Sequence, residues 1–390
     1  MKSIAVVTVA RSDFGIYLPV LRAMQRSQLL RPRIVAAAAH LNDEHGWTAR
    51  EIERHGFEID ASVPMTSGGD SRSDIALSAG QGLVGFSAAF PRIAPDLVLV
   101  LGDRFEMHAA ALAATFAGLP LAHIHGGELS LGAWDDAMRH SITKLSHLHF
   151  VSTEEHGRRV RQLGEESWRV HVSGAPGLDH VRQIEAWDRD RLERHLQLAL
   201  PLPPLLVTFH PVTVQLERTE SQLDALATVV SEVADRGRPV IITRPNADAA
   251  NRRIVQRFQA LAADRTNVRF VDNLGTEPYF NLMRHAVAML GNSSSGIVEA
   301  ASFELPVINV GDRQAGRSRS ANVLDADCEL SPMRRALAIA CSDEFRRGLQ
   351  GMTNVYGDGN SAPRIVAVLE SITCDDRLIN KRFMDWREAA

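Results

Sequence analysis

Residues 95–150 read PDLVLVLGDRFEMHAAALAATFAGLPLAHIHGGELSLGAWDDAMRHSITKLSHLHF, and the order of elements in this stretch determines the expected topology. The apolar run 97–101 is typical of a strand that is buried on both faces. An Ala- and Leu-rich segment over 105–116 predicts a helix, which ends before a second apolar run at 121–124 predicts the next strand. Strand, helix and strand in this order indicate a parallel sheet.

Titratable side chains follow both of these predicted strands. Asp103 and Arg104 come directly after the first strand, His125 and Glu128 come after the second, and Asp136 lies close behind. Because the carboxyl ends of parallel strands lie at one edge of the sheet, where ligands bind, this concentration indicates an active site. Clustered carboxylates raise one another's pKa values, which suits Asp103, Glu128 and Asp136 to general acid/base chemistry. The alternative for Asp103 and Asp136 is structural N-capping of a helix.

The composition is that of a globular protein, and the length indicates two domains. The chain has 390 residues, of which 45% are hydrophobic and 23% are charged. This length is enough for large cores in both domains. The formal net charge of −4 offers no basic surface for nucleic acid or for a membrane, so we expect neither as a partner.

Cysteine usage and targeting signals point to the cytoplasm. The three cysteines are widely spaced and form no CxxC motif, which argues against a disulfide framework and a zinc site. No apolar run approaches the roughly 18 residues that a membrane span needs. The first apolar run, 4–9, is followed at once by Arg11 and Asp13 and therefore reads as a first strand and not as a signal peptide.

Strands alternate with helices twice along the chain. The first series covers 4–172, and the second covers 205–310 after the proline-rich break PLPP at 201–204. This pattern predicts an α/β protein with two Rossmann-like domains that face a cleft.

The domain boundary is expected between about Ala175 and Pro204. We expect an N-terminal domain over 1–176, which carries the titratable residues described above, and a C-terminal domain over 177–365. A final helical segment, 366–390, can pack back on the first domain.

The motif GNSSSG at 291–296 lies between a predicted strand and a predicted helix. Backbone N–H groups, the helix dipole and three hydroxyls favour an anion there, and Glu299 is placed to accept hydrogen bonds from ribose hydroxyls. The alternative is an ordinary serine N-cap. The motif is neither a Walker A sequence nor GxGxxG, so it supports neither an ATPase nor a typical dinucleotide-binding protein.

Other predicted strands also end in cationic or hydrogen-bonding residues. They are Arg11 with Asp13, His210, Arg244 with Asn246, and Arg313 with Arg317. A solvated surface loop is the alternative for the segment 311–317. Taken together, these strand ends predict an anionic ligand with several hydroxyl groups, such as a nucleotide sugar.

Histidines are dense in this part of the chain, but they do not follow a metal-binding pattern. Neither HExxH nor a facial triad occurs among the five histidines between 123 and 149. We therefore expect no metal and no cofactor, and we expect His123 and His149 to be core residues or residues that support the site.

The whole set of motifs resembles the hydrolysing UDP-N-acetylglucosamine 2-epimerases of bacterial sialic acid biosynthesis. The resemblance spans nearly the whole chain and implies a glycosyltransferase-B type fold, no bound metal, and a homodimer or homotetramer. It also implies that the nucleotide binds mostly to the C-terminal domain, 177–365. The matching segments are GDRFEMHAAALAA at 102–114, HIHGGELSLGAWDDAMRHSITKLSHLHF at 123–150, HPVT at 210–213, PNAD at 245–248, GNSSSGIVEAASFELPVIN at 291–309, GDRQAGR at 311–317 and YGDGNSAPRI at 356–365.

The resemblance implies that UDP-N-acetylglucosamine and water become N-acetylmannosamine and UDP. Anti elimination gives 2-acetamidoglucal, and water then adds to the double bond. The residues that match acid/base positions are Asp103, Glu128 and Asp136. The first turn, with Arg11 and Asp13, belongs to the expected nucleotide-sugar site, and the other matches to nucleotide contacts are Arg104, His210, Asn246, Ser293, Ser294, Glu299 and Arg313.

One position divides this family. Bifunctional animal enzymes and non-hydrolysing epimerases place Glu where this chain has His125, whereas the bacterial hydrolysing branch resembles this chain there. The base that removes the C2 proton is therefore open between His125, Asp103 and Asp136. A neutral imidazole suits proton abstraction near neutral pH.

Two alternatives to this substrate and reaction stay open. The same reaction can act on UDP-2,4-diacetamido-2,4,6-trideoxyglucose or on a GDP-linked sugar of a legionaminic acid route. A glycosyltransferase or a nucleotide-sugar binder can also use this fold, although the acid/base residues around HIHGGE at 123–128 argue against both.

Overall fold

The protein divides into two units in a computed structural model. The first unit comprises Met1–His180 and Tyr356–Ala390, and the second comprises Val181–Val355. The structure describes residues 1–41, 48–65, 71–131, 134–210, 219–245 and 251–385.

In the described part of the first unit, seven parallel strands form the sheet, in the order β3-β2-β1-β4-β5-β6-β7. The order reverses between β1 and β4, which pair directly, and such a reversal opens a crevice at the carboxyl ends of the two strands. The strands are β1 Lys2–Thr8, β2 Leu30–Ala37, β3 Ile59–Val63, β4 Leu97–Leu101, β5 Leu121–Ile124, β6 Leu148–Val151 and β7 Val170–Val172.

The helices of the first unit connect these strands. All five residues of β4 are buried, as expected for a central strand that is covered on both faces. The helices are α1 Arg11–Arg26, α2 Ala49–Arg54, α3 Arg72–Ile93, α4 Phe105–Phe116, α5 Asp135–Leu145 and α6 Glu154–Gln162, followed by α7 Asp179–Gln183 where the chain enters the second unit.

Among the residues of the second unit that the structure describes, six parallel strands form a sheet in the order β10-β9-β8-β11-β12-β13. They are β8 Leu205–Thr208, β9 Val240–Thr243, β10 Val268–Val271, β11 Ala288–Gly291, β12 Val307–Val310 and β13 Val323–Ala326. The helices are α8 Arg189–Leu196, α9 Thr219–Asp235, α10 Asn251–Ala263, α11 Thr276–His285, α12 Ser294–Val298, α13 Leu330–Ala340 and α14 Asp343–Gly348. None of the described helices is long and apolar enough to cross a bilayer.

The last part of the chain returns to the first unit earlier than the sequence predicted. The expected boundary lay after residue 365, but helix α15, Ser361–Ser371, buries Ala362 and Ile365 in the core of the first unit. Asp179 caps this helix, because its two carboxylate oxygens accept hydrogen bonds from the backbone N–H groups of residues 361 and 362 at 2.8 and 2.7 Å. Helix α16, Asp376–Ile379, follows.

Gly291 shows how closely the strands of the second unit approach at the end of β11. Its φ is +141°, and a Cβ built there would lie 1.9 Å from the carbonyl oxygen of Thr208. We expect Gly291→Ala to lower the free energy of unfolding by about 3–5 kcal/mol, because backbone strain adds to a steric clash. Gly237→Ala is the matched control, because its φ is +83° but no atom of the described residues lies within 4 Å of the added Cβ.

Gly237→Ala is expected to lower the free energy of unfolding by only about 1 kcal/mol. Urea denaturation of both variants measures the difference. Equal losses in the two variants would contradict a clash at Gly291.

Candidate active site

Arg139 on α5 joins the loops that follow β4 and β5. Its side chain is only 4% exposed, and the guanidinium forms an ion pair with Asp103. It also donates hydrogen bonds to the carbonyl oxygen of His125 at 2.8 Å and to Ser130 Oγ at 3.1 Å. Ser130 Oγ in turn donates to Asp103 Oδ2 at 3.0 Å. One buried cation therefore holds Asp103, the backbone of His125 and Ser130 in one arrangement.

His125 and Glu128 form a second group at the end of β5. His125 Nδ1 lies 2.5 Å from Glu128 Oε1, and Ser152 Oγ donates to the same carboxylate oxygen at 2.9 Å. His125 Nε2 is buried and has no hydrogen-bond partner within the described part of the chain. A buried polar atom without a partner is costly, which marks this nitrogen as a candidate for contact with a ligand.

The carboxyl group of Glu128 is held in its ionised form. Burial alone would raise its pKa, but the charge of His125, the hydrogen bond with that ring and the charges of Arg139 and His156 hold the pKa of Glu128 well below its usual range. Glu128 is therefore a permanent acceptor near neutral pH.

The neighbouring residues Asp135 and Asp136 have different surroundings. Asp136 Oδ1 accepts the backbone N–H of Ser130 at 2.7 Å, and its other oxygen lies 3.5 Å from His140 Nε2. Burial and then the charge of Asp103 raise the pKa of Asp135. Asp136 is thus tied to backbone, whereas Asp135 joins Asp103 as a second carboxyl group of the site. Sequence reasoning selected Asp136 and did not single out Asp135.

The ends of β1 and β4 carry a further charged group. Glu106 accepts hydrogen bonds from Arg104 Nε and Nη2 at 3.2 and 2.6 Å, and the Arg104 side chain is 44% exposed. Burial raises the pKa of Asp13 to about 6, with the charge of Arg104 opposing the rise and that of Glu106 adding to it. Arg11 lies farther out and pairs with Glu51 at 3.0 Å.

We expect Asp13→Asn to stabilise the first unit at neutral pH. The folded-state pKa of Asp13 lies above the ordinary value of 3.8, so folding favours the protonated carboxyl group. The contribution of this carboxyl group to the free energy of unfolding is therefore fully present below about pH 4. It is lost as the pH rises to about 6, which lowers the free energy of unfolding by about 2–3 kcal/mol. Asparagine does not ionise and avoids this loss.

Denaturation midpoints at about pH 4 and about pH 7.5 test this expectation. Asp74 provides the comparison, because it occupies the same position in α3 as Asp13 does in α1 but forms a capping box with Ser71. Asp74→Asn is expected to lower stability. A wild-type pH dependence that persists in Asp13→Asn would contradict the assignment.

Asn292 organises the loops at the strand ends of the second unit. It follows β11 and exchanges two hydrogen bonds with the backbone of His210, at 2.7 and 2.9 Å. Its own carbonyl oxygen accepts hydrogen bonds from Arg313 Nη1 at 3.1 Å and from Gln314 Nε2 at 2.9 Å. The side chains that follow β8, β11 and β12 are therefore brought together.

Ser293 and its neighbours begin the short helix α12. Ser293 is the N-cap, since its Oγ accepts the backbone N–H of Ser295 at 3.3 Å, and Ser294 is the first helical residue. Burial raises the pKa of Tyr279 to about 12, and the charge of the nearby Glu299 adds to the rise. Burial, and then the charge of Arg313, lower the pKa of His210 to about 3, so this ring is neutral at physiological pH.

Some of the residues selected from the sequence lie together in these two groups of loops, whereas others lie elsewhere or have a structural role. Asn246 lies outside the described residues. His123 is a core residue, with Nε2 2.8 Å from the carbonyl oxygen of Gly102. Among the described residues, no group of three or more His, Cys, Asp or Glu could hold a metal ion. The sequence analysis did not identify Arg139, Ser130 or Ser152 as site residues. For Arg139 a signal was available, because the helix starts with two aspartates and carries this arginine one turn later.

Comparisons with known proteins show the family to which this chain belongs. A family model described as UDP-N-acetylglucosamine 2-epimerase matches residues 22–370. The chain is 34% identical to the GDP/UDP-N,N'-diacetylbacillosamine 2-epimerase (hydrolyzing) of Campylobacter jejuni, with 98% of this chain and 99% of that protein covered. It is also 34% identical to the UDP-N,N'-diacetylbacillosamine 2-epimerase (hydrolyzing) of Legionella pneumophila, with 98% and 99% covered.

A solved structure shows the same fold. The UDP-GlcNAc 2-epimerase of Neisseria meningitidis bound to UDP-GlcNAc superposes with a TM-score of 0.79 at 19% identity, with 95% of this chain and 99% of that chain covered. The predicted fold class of two parallel-sheet α/β domains is confirmed. Given the family match and the two relatives, this chain belongs to the UDP-N-acetylglucosamine 2-epimerase family.

Proposed function

We propose that the protein is a hydrolysing 2-epimerase, which converts a nucleotide-linked 2-acetamido sugar and water into the free C2-epimeric sugar and the nucleoside diphosphate. One observation carries this proposal: Asp103, His125 and Asp135 lie around the loops that Arg139 holds together. The first half-reaction removes the C2 proton while the C1–O bond to the diphosphate breaks. The second half-reaction adds the oxygen of water to C1 and a proton to C2.

Both half-reactions need a base and an acid, which the first unit supplies. An acid/base group contributes about 10²–10⁴ in rate when its pKa lies near the operating pH. Asp135 is the candidate for this role, because burial and the charge of Asp103 raise its pKa in the direction of the operating pH. Asp103 stays paired with Arg139 and can act on charge that develops at the sugar.

The second unit is proposed to bind the nucleotide. His210, Arg313 and Ser293 follow neighbouring strands, and Asn292 fixes the backbone of the first and contacts the side chain of the second. A guanidinium and hydroxyl groups at the ends of parallel strands are suited to a diphosphate. Glu299 and Asn246 stay predictions for further nucleotide contacts.

For the sugar we propose N,N'-diacetylbacillosamine, which is a 2,4-diacetamido-2,4,6-trideoxy sugar. The two relatives at 34% identity over nearly their whole length are both named for this sugar, one with UDP and one with either GDP or UDP. UDP-N-acetylglucosamine is the second candidate, because the family description carries that name. We also propose that the protein is a cytoplasmic homo-oligomer that acts in the biosynthesis of a sialic acid-type sugar.

Parallel assays in deuterium oxide test the function. UDP-N,N'-diacetylbacillosamine, its GDP analogue and UDP-N-acetylglucosamine are each supplied as sole substrate, and NMR follows the free sugar. We expect free sugar deuterated at C2, with kcat/KM about tenfold or more higher for the preferred substrate. Nucleotide release that requires an acceptor sugar would indicate a transferase, binding without turnover would indicate a binder, and no turnover of any substrate would refute the proposal.

A further inference from the structure

The contacts of His125 determine which of its ring nitrogens carries a proton. The carboxylate oxygens of Glu128 accept hydrogen bonds, and Oε1 already accepts one from Ser152, so His125 Nδ1 at 2.5 Å is the donor to this oxygen. In a neutral ring the other nitrogen, Nε2, then carries a lone pair. The carboxylate thereby fixes the tautomer in which Nε2 is a base.

Ser152 on the loop after β6 supports the same tautomer. Its Oγ lies 2.9 Å from Glu128 Oε1 and 3.1 Å from His125 Nδ1. Because Nδ1 already donates to the carboxylate, the single hydroxyl proton of Ser152 goes to Glu128. Ser152 therefore holds the carboxylate oxygen that orients the imidazole.

The backbone of His125 is held as firmly as its side chain. Its φ is +65°, a left-handed conformation that non-glycine residues seldom adopt. The N–H donates to the carbonyl oxygen of Phe150 at 3.0 Å, and the carbonyl oxygen accepts from Arg139 at 2.8 Å. Strained residues that their surroundings hold in place cluster at functional sites. The side chain of His125 is thus presented in a fixed position with Nε2 buried and without a partner among the described residues.

We propose that His125 Nε2 takes the C2 proton, and that Glu128 and Ser152 are positioning residues that do not touch the sugar. This inference rests on the proposed function and deepens it. The proton moves from C2 to Nε2, the C–H electron pair forms the C1=C2 double bond, and the C1–O electron pair leaves with the diphosphate. The imidazolium is stabilised by Glu128 and returns its proton to water after the product leaves.

Other charged groups around the ring oppose or assist this protonation. Arg139 on α5 and His156 on α6 lie near Glu128, and His123 on β5 lies near His125. Burial lowers the pKa of His123 to about 3 and that of His156 to about 4, so both rings are neutral near pH 7. His156 therefore carries the charge that acts on Glu128 only at lower pH. Glu128 is thus the group whose charge balances an imidazolium at position 125.

The first experiment compares Glu128→Gln with wild type on the substrate that the parallel assays identify. Glutamine keeps the shape but loses the charge, so kcat is expected to fall by about 10²–10³ while KM changes little. The acidic limb of the log kcat/KM profile is expected to move to lower pH. Ser152→Ala is expected to lower kcat about tenfold. His125→Asn is expected to abolish C2 exchange while UDP still binds.

Glu165→Gln is the matched control, because Glu165 also pairs with a buried histidine, His149, at 3.1 Å in the same unit. Its loss is expected to affect stability but not the shape of the pH profile. Nitrogen-15 NMR of histidine-labelled protein gives a readout besides activity: the His125 signal, identified by its loss in His125→Asn, should show Nδ1–H and bare Nε2.

The outcomes separate this inference from the proposed function. If wild type turns over but Glu128→Gln keeps its rate and pH profile, if His125→Asn keeps C2 exchange, or if NMR shows Nε2–H, the inference is overturned. Loss of UDP binding by folded Glu128→Gln would also overturn it. If wild type turns over no nucleotide sugar, the proposed function fails instead.

Discussion

Replacing Arg139 by methionine is expected to slow turnover severely and to lower the free energy of unfolding by about 3–5 kcal/mol. The guanidinium is buried and makes contacts with Asp103, Ser130 and the backbone of His125. Its loss leaves Asp103 without its cation in a partly buried position and releases the loop that presents His125. We therefore expect kcat/KM to fall by about 10³ or more, because positioning and charge are lost together.

Arg139→Lys tests the shape of the cation separately from its charge. An ammonium group cannot reach three acceptors in the fork geometry of a guanidinium, so most of the rate loss should remain while part of the stability returns. Arg33→Met is the matched control, since Arg33 pairs with Asp60 at 2.7 Å on other strands of the same sheet. Urea denaturation and steady-state kinetics of the three variants provide the measurement. Activity in Arg139→Met within about tenfold of wild type would contradict this role.

The pattern of residues 95–150 was sufficient to predict much of the first unit. The runs at 97–101 and 121–124 are β4 and β5, and the helix between them, Phe105–Phe116, has the expected bounds. These elements are predictable because unbroken apolar runs and Ala-rich helices are local properties of the sequence. The adjacency of Asp103 and His125 follows, since consecutive strands of such a sheet usually pair.

Other features depend on contacts that sequence patterns do not encode. Arg139 and its partner Asp103 are separated by 36 positions, so their ion pair requires the folded chain. Strand β13, Val323–Ala326, was not predicted, because it is a short edge strand in which no side chain is fully buried. The left-handed φ of His125 also has no sequence signal, since glycine usually occupies such positions.

Asp135 and Asp136 show most directly what sequence patterns cannot predict about the site, because two adjacent aspartates look equivalent in a sequence. Only the structure separates them: Asp136 Oδ1 accepts the backbone N–H of Ser130 at 2.7 Å, and burial with the charge of Asp103 raises the pKa of Asp135. A raised carboxyl pKa brings the acid closer to neutral pH and makes proton transfer to the sugar easier. The identical change at the two positions therefore has different expected consequences.

We expect Asp135→Asn to lower kcat by about 10³ and Asp136→Asn to lower it by less than about tenfold. Asparagine at 135 cannot transfer a proton, whereas asparagine at 136 keeps an oxygen that accepts the N–H of Ser130. Steady-state kinetics, C2 exchange in deuterium oxide and UDP binding by calorimetry measure both variants under the same conditions. Retained UDP binding shows that a slow variant is folded. A larger loss in Asp136→Asn would return the acid/base role to Asp136, because the raised pKa of Asp135 would then reflect burial without proton transfer to substrate.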